Sequence, residues 1–400
     1  MKRLLSTYLA VASVLMCYAQ AHAASFPGFI SRQAAWVPTA TRATQLGGAM
    51  PMAALAPNTI LRINVALAMR DRTDAEILVR RETTPGDPLY GTQVTPAQYT
   101  AMFNPTSAQA NAVAGYLAKS GFTNITIEPN HLLVSATGSA AAASAAFHTS
   151  FGVYNVKGRL AYANATPAYV PAQFAGTVLA VLGLNNAYQM TPALRRSARV
   201  APMTAGPRAT PPPCVNPGPI CLANSYTGQG FQKAYDAANT PTGGQTSIAV
   251  FAEGNVSQVV TDLRTYESAF GLPQVPYSVR PVGIPSPDIA GLIEWDLDTQ
   301  SSTGIAQTVK HLYVYDTTSL SDSDVALEVN HFVTDNLAKI GNASFGICES
   351  FAFLDGSMLV DDEEFLEGAA QGQTVFSSTG DNGNGCPVIA ATGVPGTGVP

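Results

Sequence analysis

Charged side chains are scarce in this 400-residue chain: Asp, Glu, Lys and Arg make up 12% of it, against 46% apolar residues. That balance excludes a disordered chain and fits a globular protein with a large core and room for two or three domains. Long apolar runs are missing beyond the N-terminus. Nothing there reaches the roughly 20 uninterrupted apolar residues of a membrane span, so no membrane association is expected of the mature form. Cysteine is sparse, at 5 residues, and no Cys-x-x-Cys or His-x-x-x-His spacing points to zinc. With a formal net charge of −6, no nucleic-acid partner is expected either.

The first residues do carry a pattern. Lys2 and Arg3, the mostly apolar run from Leu4 to Tyr18, and Ala21-His22-Ala23 read as a secretory signal over residues 1–23. The mature protein is therefore expected outside the cytoplasm, secreted or periplasmic. Cys17 leaves with the signal, and Cys214, Cys221, Cys348 and Cys386 remain for an oxidising compartment, with three possible pairings. The short loop between Cys214 and Cys221 favours that bridge. Charge is divided unevenly. Residues 25–190 carry ten basic and six acidic side chains, residues 191–213 four basic and no acidic ones, and residues 214–400 five basic and twenty-one acidic. A basic front and an acidic back attract at neutral pH, so the expectation is a restraint that acid loosens.

Against this background the stretch Gly291-Leu292-Ile293-Glu294-Trp295-Asp296-Leu297-Asp298-Thr299-Gln300 stands out. On a helix, Glu294 and Asp298 lie one turn apart on one face, while Asp296 points elsewhere. Two carboxyl groups that meet cannot both ionise cheaply, so the pair shares a proton, as a general base working in acid would. The plainer alternative is an acidic first turn serving the helix dipole.

The pattern from about Asn58 reads strand, helix, strand, strand, helix, strand. A half-buried strand at Ile60–Ala68 is followed by a helix from Thr106 to Leu117. A hairpin joins Ile125–Ile127 to Leu132–Val134, an alanine-rich helix covers Ser139–Phe147, and Phe151–Tyr154 makes the last strand. Two helices on one face of a small sheet is an α+β arrangement. Arginines, Pro211-Pro212-Pro213 and Pro217-Gly218-Pro219 then mark an extended, easily cut linker. Further on, buried strands at 246–251, 312–316, 343–346 and 374–378 alternate with helices at 256–270, 324–340 and 360–370. This alternation predicts an α/β fold with a mostly parallel sheet covered on both faces, its sites at the carboxyl ends of the strands. Asp361-Asp362-Glu363-Glu364 reads as a solvated helix start.

Several words in this order resemble the sedolisin family of serine-carboxyl peptidases. Asp87-Pro88-Leu89-Tyr90-Gly91 with Thr95-Pro96-Ala97-Gln98-Tyr99, Ala146-Phe147-His148-Thr149-Ser150-Phe151, Tyr162-Ala163-Asn164 and Val181-Leu182-Gly183-Leu184 look like a pro-kumamolisin activation domain. The resemblance implies a signal at 1–23, an α+β, ferredoxin-like propeptide at 37–190, a processing linker at 191–224, and part of a subtilisin-like catalytic domain at 225–400. Glu294-x-x-x-Asp298 resembles the segment that supplies the family's catalytic Glu and Asp. Ser344-Phe345-Gly346 with Glu349 resembles the strand leading into the substrate cleft. Gly380-Asp381-Asn382-Gly383 resembles the loop whose Asp helps form the oxyanion hole.

The implied partners are a polypeptide substrate and the chain's own propeptide. Glu294 would deprotonate a serine, Asp298 would orient Glu294, and protonated Asp381 would donate to the oxyanion, giving an acidic optimum. His131 and His148 fall in the propeptide, and neither His311 nor His331 precedes a Gly-Thr of the subtilisin kind, so packed or surface roles are expected for them. The sequence departs from the family in one respect: no Ser-Gly-Thr-Ser-type turn follows Asp381. The family's calcium loop is also expected to be missing from this chain, as in a fragment or a truncated gene, and no peptidase activity is expected of these 400 residues alone. The rival readings are a secreted, non-catalytic inhibitory module and a glycosidase. Carboxyls one turn apart suit a glycosidase poorly, because a glycosidic bond is flanked from two sides.

Overall fold

The computed structural model describes residues 35–192 and 228–379, apart from 48, 157 and 238. The signal sequence, most of the linker with Cys214 and Cys221, Cys386, and the loop containing Asp381 lie outside the described residues.

Short strands β1 (Trp36–Pro38) and β2 (Ala53–Ala54) lead into β3 (Ile60–Leu67), where Leu61, Ile63, Val65 and Leu67 turn inward. Helices α1 (Arg72–Thr83), α2 (Pro96–Met102) and α3 (Ser107–Lys119) follow, then β4 (Thr123–Ile127) and β5 (Leu133–Ser139). Next come α4 (Ala140–Ala146), β6 (Phe151–Val156), β7 (Arg159–Asn164), β8 (Tyr169–Pro171), β9 (Val178–Leu182) and β10 (Thr191–Pro192). The starts of α2 and α3 are fixed by reciprocal capping boxes, Thr95 with Gln98 and Thr106 with Gln109, which satisfy first-turn amides that the helix itself cannot pair.

Four strands form an antiparallel sheet in the order β4-β5-β3-β9. Ala110, Val113 and Leu117 of α3, with Ala140, Ala143 and Ala146 of α4, share one core with Leu61, Ile63 and Val134 of this sheet. The fourth strand is β9. The segment around Phe151–Tyr154, expected to fill that place, instead joins β2 and β7 in a separate three-stranded sheet. Alternating apolar residues identify a strand, but its sheet is chosen by distant pairing that local pattern does not encode.

The second half contains α5 (Gly228–Ala234), β11 (Gly243–Glu253), α6 (Val259–Phe270), β12 (Tyr277–Pro281), α7 (Leu292–Ala306), β13 (Val309–Thr317) and α8 (Asp322–Asp335). It continues through β14 (Ile340–Ala343), β15 (Phe345–Gly346), α9 (Glu349–Asp355), α10 (Ser357–Ala370) and β16 (Thr374–Ser377). Five strands form a wholly parallel sheet in the order β12-β13-β11-β14-β16. Its middle is a nearly unbroken apolar run, Ile248 to Ala252, buried as parallel strands require.

Helix α8 is shorter than the periodicity predicts. It ends where Asn336 adopts a left-handed φ of 47°, so Leu337 is exposed and Ile340, the expected last residue of the helix, opens β14. The acidic start of α10 also differs from expectation: Glu363 and Glu364 are buried, and of the four residues from 361 to 364 only Asp362 is exposed. Helix α10 meets the first half of the chain: Met69 N donates to Glu363 at 3.1 Å, and Asn104 and Asn130 donate to Glu367 at 2.8 and 3.0 Å, while Asn330 of α8 donates to Glu364 at 3.0 Å. Ala66, Leu133, Ala180 and Leu182 of the antiparallel sheet pack with Ala326 and Val360 beside them.

Candidate active site

The site is built on the first turns of α7. Gly291 precedes the helix, and a side chain there would place its Cβ 2.5 Å from the Trp295 ring. Trp295 is buried, and its indole Nε1 donates to the carbonyl oxygen of Glu253 at 3.0 Å. Helix α7 is thereby fixed against the carboxyl end of β11. Glu294 and Asp298 then face inward, Glu294 buried at 4% exposure, while Ile293 and Leu297 point to solvent.

Asp298 Oδ1 accepts a 2.7 Å hydrogen bond from Ser344 Oγ, at the junction of β14 and β15. Burial pushes the Asp298 carboxyl up to about 7; the hydrogen-bonding groups of Ser344 and Asn342 oppose this, and the negative charge of Glu294 adds to it. Glu294 and Asp298 thus interact electrostatically, as their spacing predicts. Asp296 points away from them and lies beside Asp262, with its carboxyl also raised to about 7 by burial and by that neighbour.

A third buried acid, Glu253, ends β11 and is raised to about 7 by burial and by the charges of Asp288 and Asp316. Glu253 is not among the residues to which the sequence pattern points. The available signal was an acid at the carboxyl end of a central parallel strand, where ligands of such sheets bind.

The edge beside this site is occupied. Strand β10 pairs antiparallel with β15, Thr191 opposite Gly346 and Pro192 opposite Phe345. Met190 N donates to Leu320 O at 2.8 Å, and Tyr188 stacks on Phe351 with ring centroids 4.5 Å apart. The last described residues of the activation half therefore run as an extended strand along the segment that begins at Ser344. Residues 191–192, placed in the linker by sequence, are the part that makes this pairing. Cys348, at the start of α9, is disulfide-bonded, and every other cysteine lies outside the described residues. So does Asp381, whose position relative to the pair is not described.

Among the described residues, no group of three or more His, Cys, Asp or Glu side chains could hold a metal ion, and no helix is long and apolar enough to cross a membrane.

The model of the pro-kumamolisin activation domain matches residues 48–187. Sedolisin of Pseudomonas sp. (strain 101) is 35% identical over 375 residues, which is 90% of this chain and 62% of sedolisin. The chain is thus similar to sedolisin over most of its own length. Xanthomonalisin of Xanthomonas sp. (strain T-22) is likewise 35% identical, over 334 residues, 81% of this chain and 39% of that protein. The chain spans less than two thirds of either relative. A solved structure of Pseudomonas sedolisin, a serine-carboxyl proteinase complexed with two molecules of pseudo-iodotyrostatin, is 37% identical over 38% of this chain and 44% of its own, with a TM-score of 0.37.

Proposed function

We propose that the chain is part of a secreted precursor of an acid-acting serine-carboxyl endopeptidase, with a ferredoxin-like activation domain and a subtilisin-like catalytic sheet. The observation that carries the reading is the pair Glu294 and Asp298 on one turn of α7, Glu294 buried and Asp298 half-buried, with burial pushing the Asp298 carboxyl up to about 7. The antiparallel β4-β5-β3-β9 order and the five parallel strands support the two fold assignments.

In this reading Glu294 takes the proton of a serine hydroxyl as the hydroxyl attacks a peptide carbonyl. Asp298 orients Glu294 and shares the proton with it, doing what a second acid does for imidazole in a triad. Asp381 is the oxyanion donor, and it can donate only while protonated, which places the reaction in acid. The serine would come from a Ser-Gly-Thr-Ser-type turn, which does not occur between Asp381 and Pro400. The 400 residues alone are therefore proposed to hydrolyse nothing. A substrate would lie along β15, where β10 now pairs, so the activation domain inhibits in its own chain by covering that edge.

The test is hydrolysis of denatured protein by the full-length, processed gene product at about pH 3–5, where carboxyls titrate. Glu294→Gln should abolish turnover, and undiminished activity in that variant would end the proposal. Sequence downstream of Pro400 should encode the serine turn.

A further inference from the structure

The hydroxyl of Ser344 has its hydrogen committed. Asn342 Nδ2 donates to Ser344 Oγ at 3.2 Å, and Ser344 Oγ lies 2.7 Å from Asp298 Oδ1. Ser344 Oγ accepts from the Asn342 amide and donates its hydrogen to Asp298 Oδ1. In that arrangement Asp298 Oδ1 is an acceptor. Asp298 Oδ2 is buried and makes no hydrogen bond among the described residues. With the Ser344 hydrogen so placed, a proton shared by the acid pair lies on Oδ2 or on Glu294.

We infer that Ser344 is a positioning residue for the acid pair: its hydroxyl pins Asp298 through Oδ1 and leaves Oδ2 to meet Glu294. The inference deepens the peptidase reading and rests on it. Ser344 acts through Asp298 and is assigned no contact with the reacting atoms. It comes from a different element than the pair, the junction of β14 and β15, and the residue is 9% exposed. The acid pair is therefore cross-braced from α7 to the central sheet. The next residue, Phe345, begins the edge that β10 covers, so the brace and the peptide-binding edge share one backbone. Loss of the hydroxyl would free Asp298 to rotate and let either oxygen carry the proton, which weakens the bias toward a basic Glu294.

The experiment compares Ser344→Ala, Ser344→Thr and Ser344→Cys with Glu294→Gln in the full-length, processed gene product, using a peptide substrate across the acid range. Ser344→Ala should lower kcat by about ten- to a hundredfold, the range for a hydrogen bond to a charged group, with KM within about threefold. It should also move the limb of the pH profile that belongs to the carboxyl pair to higher pH, because a hydrogen bond favouring the ionised acid is gone. Ser344→Thr, which keeps the hydroxyl, should restore both. A changed KM with unchanged kcat, an unmoved pH limb, or no restoration by threonine would overturn the inference while leaving the peptidase reading intact. If alanine does not fold, Ser344→Cys decides: a weak donor of similar shape should give an intermediate limb, and a wild-type limb would overturn the inference. Full activity in Glu294→Gln would overturn both.

Discussion

The indole nitrogen of Trp295 and the carbonyl oxygen of Glu253, 42 residues apart in sequence, meet at 3.0 Å. This single bond joins the helix that carries the acid pair to the central strand of the parallel sheet, and Gly291 makes room for the ring that forms it.

Gly291→Ala should therefore destabilise the chain. Its φ of −85° suits any residue, and at this N-cap position alanine has no advantage over glycine. The clash decides the sign: the added Cβ would sit 2.5 Å from a fully buried, rigid ring, and overpacking of that kind costs about 1–3 kcal/mol. Urea unfolding of the 400-residue chain should show a lower midpoint with the same slope. A midpoint equal to or above wild type would mean that the indole is not held as described.

Stability should also fall as pH rises. Burial raises Glu367 to about 7 against donation from Asn104, Asn130 and Gln371, and raises Glu363 to about 7 against the Met69 amide and Arg72. A carboxyl raised by folding stabilises fully below its ordinary value of 4.5, and that contribution is lost as pH rises through about 7. The thermal midpoint should drop between about pH 5 and pH 8, with each such group worth about 1–3 kcal/mol. Glu367→Gln, neutral at every pH, should flatten the profile. The sign is opposite to that of a charge-based restraint loosened by acid. Ion pairs do bridge the halves, Arg62 with Asp324 at 3.7 Å, Arg72 with Asp362, and His331 with Glu128 at 3.3 Å, but the acids buried between the halves are held mainly by amide donors. A midpoint that rises from pH 5 to pH 8 would restore the charge-based account.

The legible parts of this protein were the local ones. The helix carrying Glu294 and Asp298 was readable because i and i+4 acids are conspicuous where charge is rare, and the helix expected to end at residue 270 does end there, where Gly271 takes a left-handed φ of 65°. Partners distant in sequence were not readable. Nothing in Asp361-Asp362-Glu363-Glu364 tells that the asparagines of another segment will bury it, and a solvated helix start looks identical. Nor does Ser344 differ from any serine at a strand end until Asn342 and Asp298 close on it. The Phe151 strand was recognised as a strand and given the wrong sheet for the same reason: register and partner are tertiary choices.

Asn130 is the joint of the buried amide and acid network, so its loss should be felt on both sides. Its Nδ2 donates to Glu367 at 3.0 Å, while its Oδ1 accepts from Leu132 N and from Asn330 Nδ2, both at 3.2 Å. Asn130→Ala would leave buried donors and a buried acid short of partners, a change worth about 2–4 kcal/mol from two or more unmet groups. Asn130→Asp should be worse at high pH than at low pH, because a second charge would then face Glu367. Denaturant melts at two pH values separate these outcomes, and equal stability of all three proteins at both would show the network to be slack.

The strand covering the β15 edge is only two residues long, too short to hold by its own ladder, so its anchors lie upstream. Tyr188 stacks on Phe351, and its hydroxyl both accepts from Gln45 N at 2.8 Å and donates to Gln45 O at 2.7 Å. An aromatic pair contributes about 0.5–1.5 kcal/mol beyond the area it buries. Tyr188→Ala should therefore release β10 and speed hydrogen exchange at the 345–346 edge by about tenfold or more, while amides of β11 keep wild-type rates. Tyr188→Phe keeps the ring and should fall between. Phe351→Ala should reproduce the effect of Tyr188→Ala, and the double variant should add little to either single one, because the two rings act as one contact. Fully additive effects would mean that each ring holds the edge through a different neighbour, and an unchanged exchange rate in all three would place the anchor at Met190 and its bond to Leu320 instead.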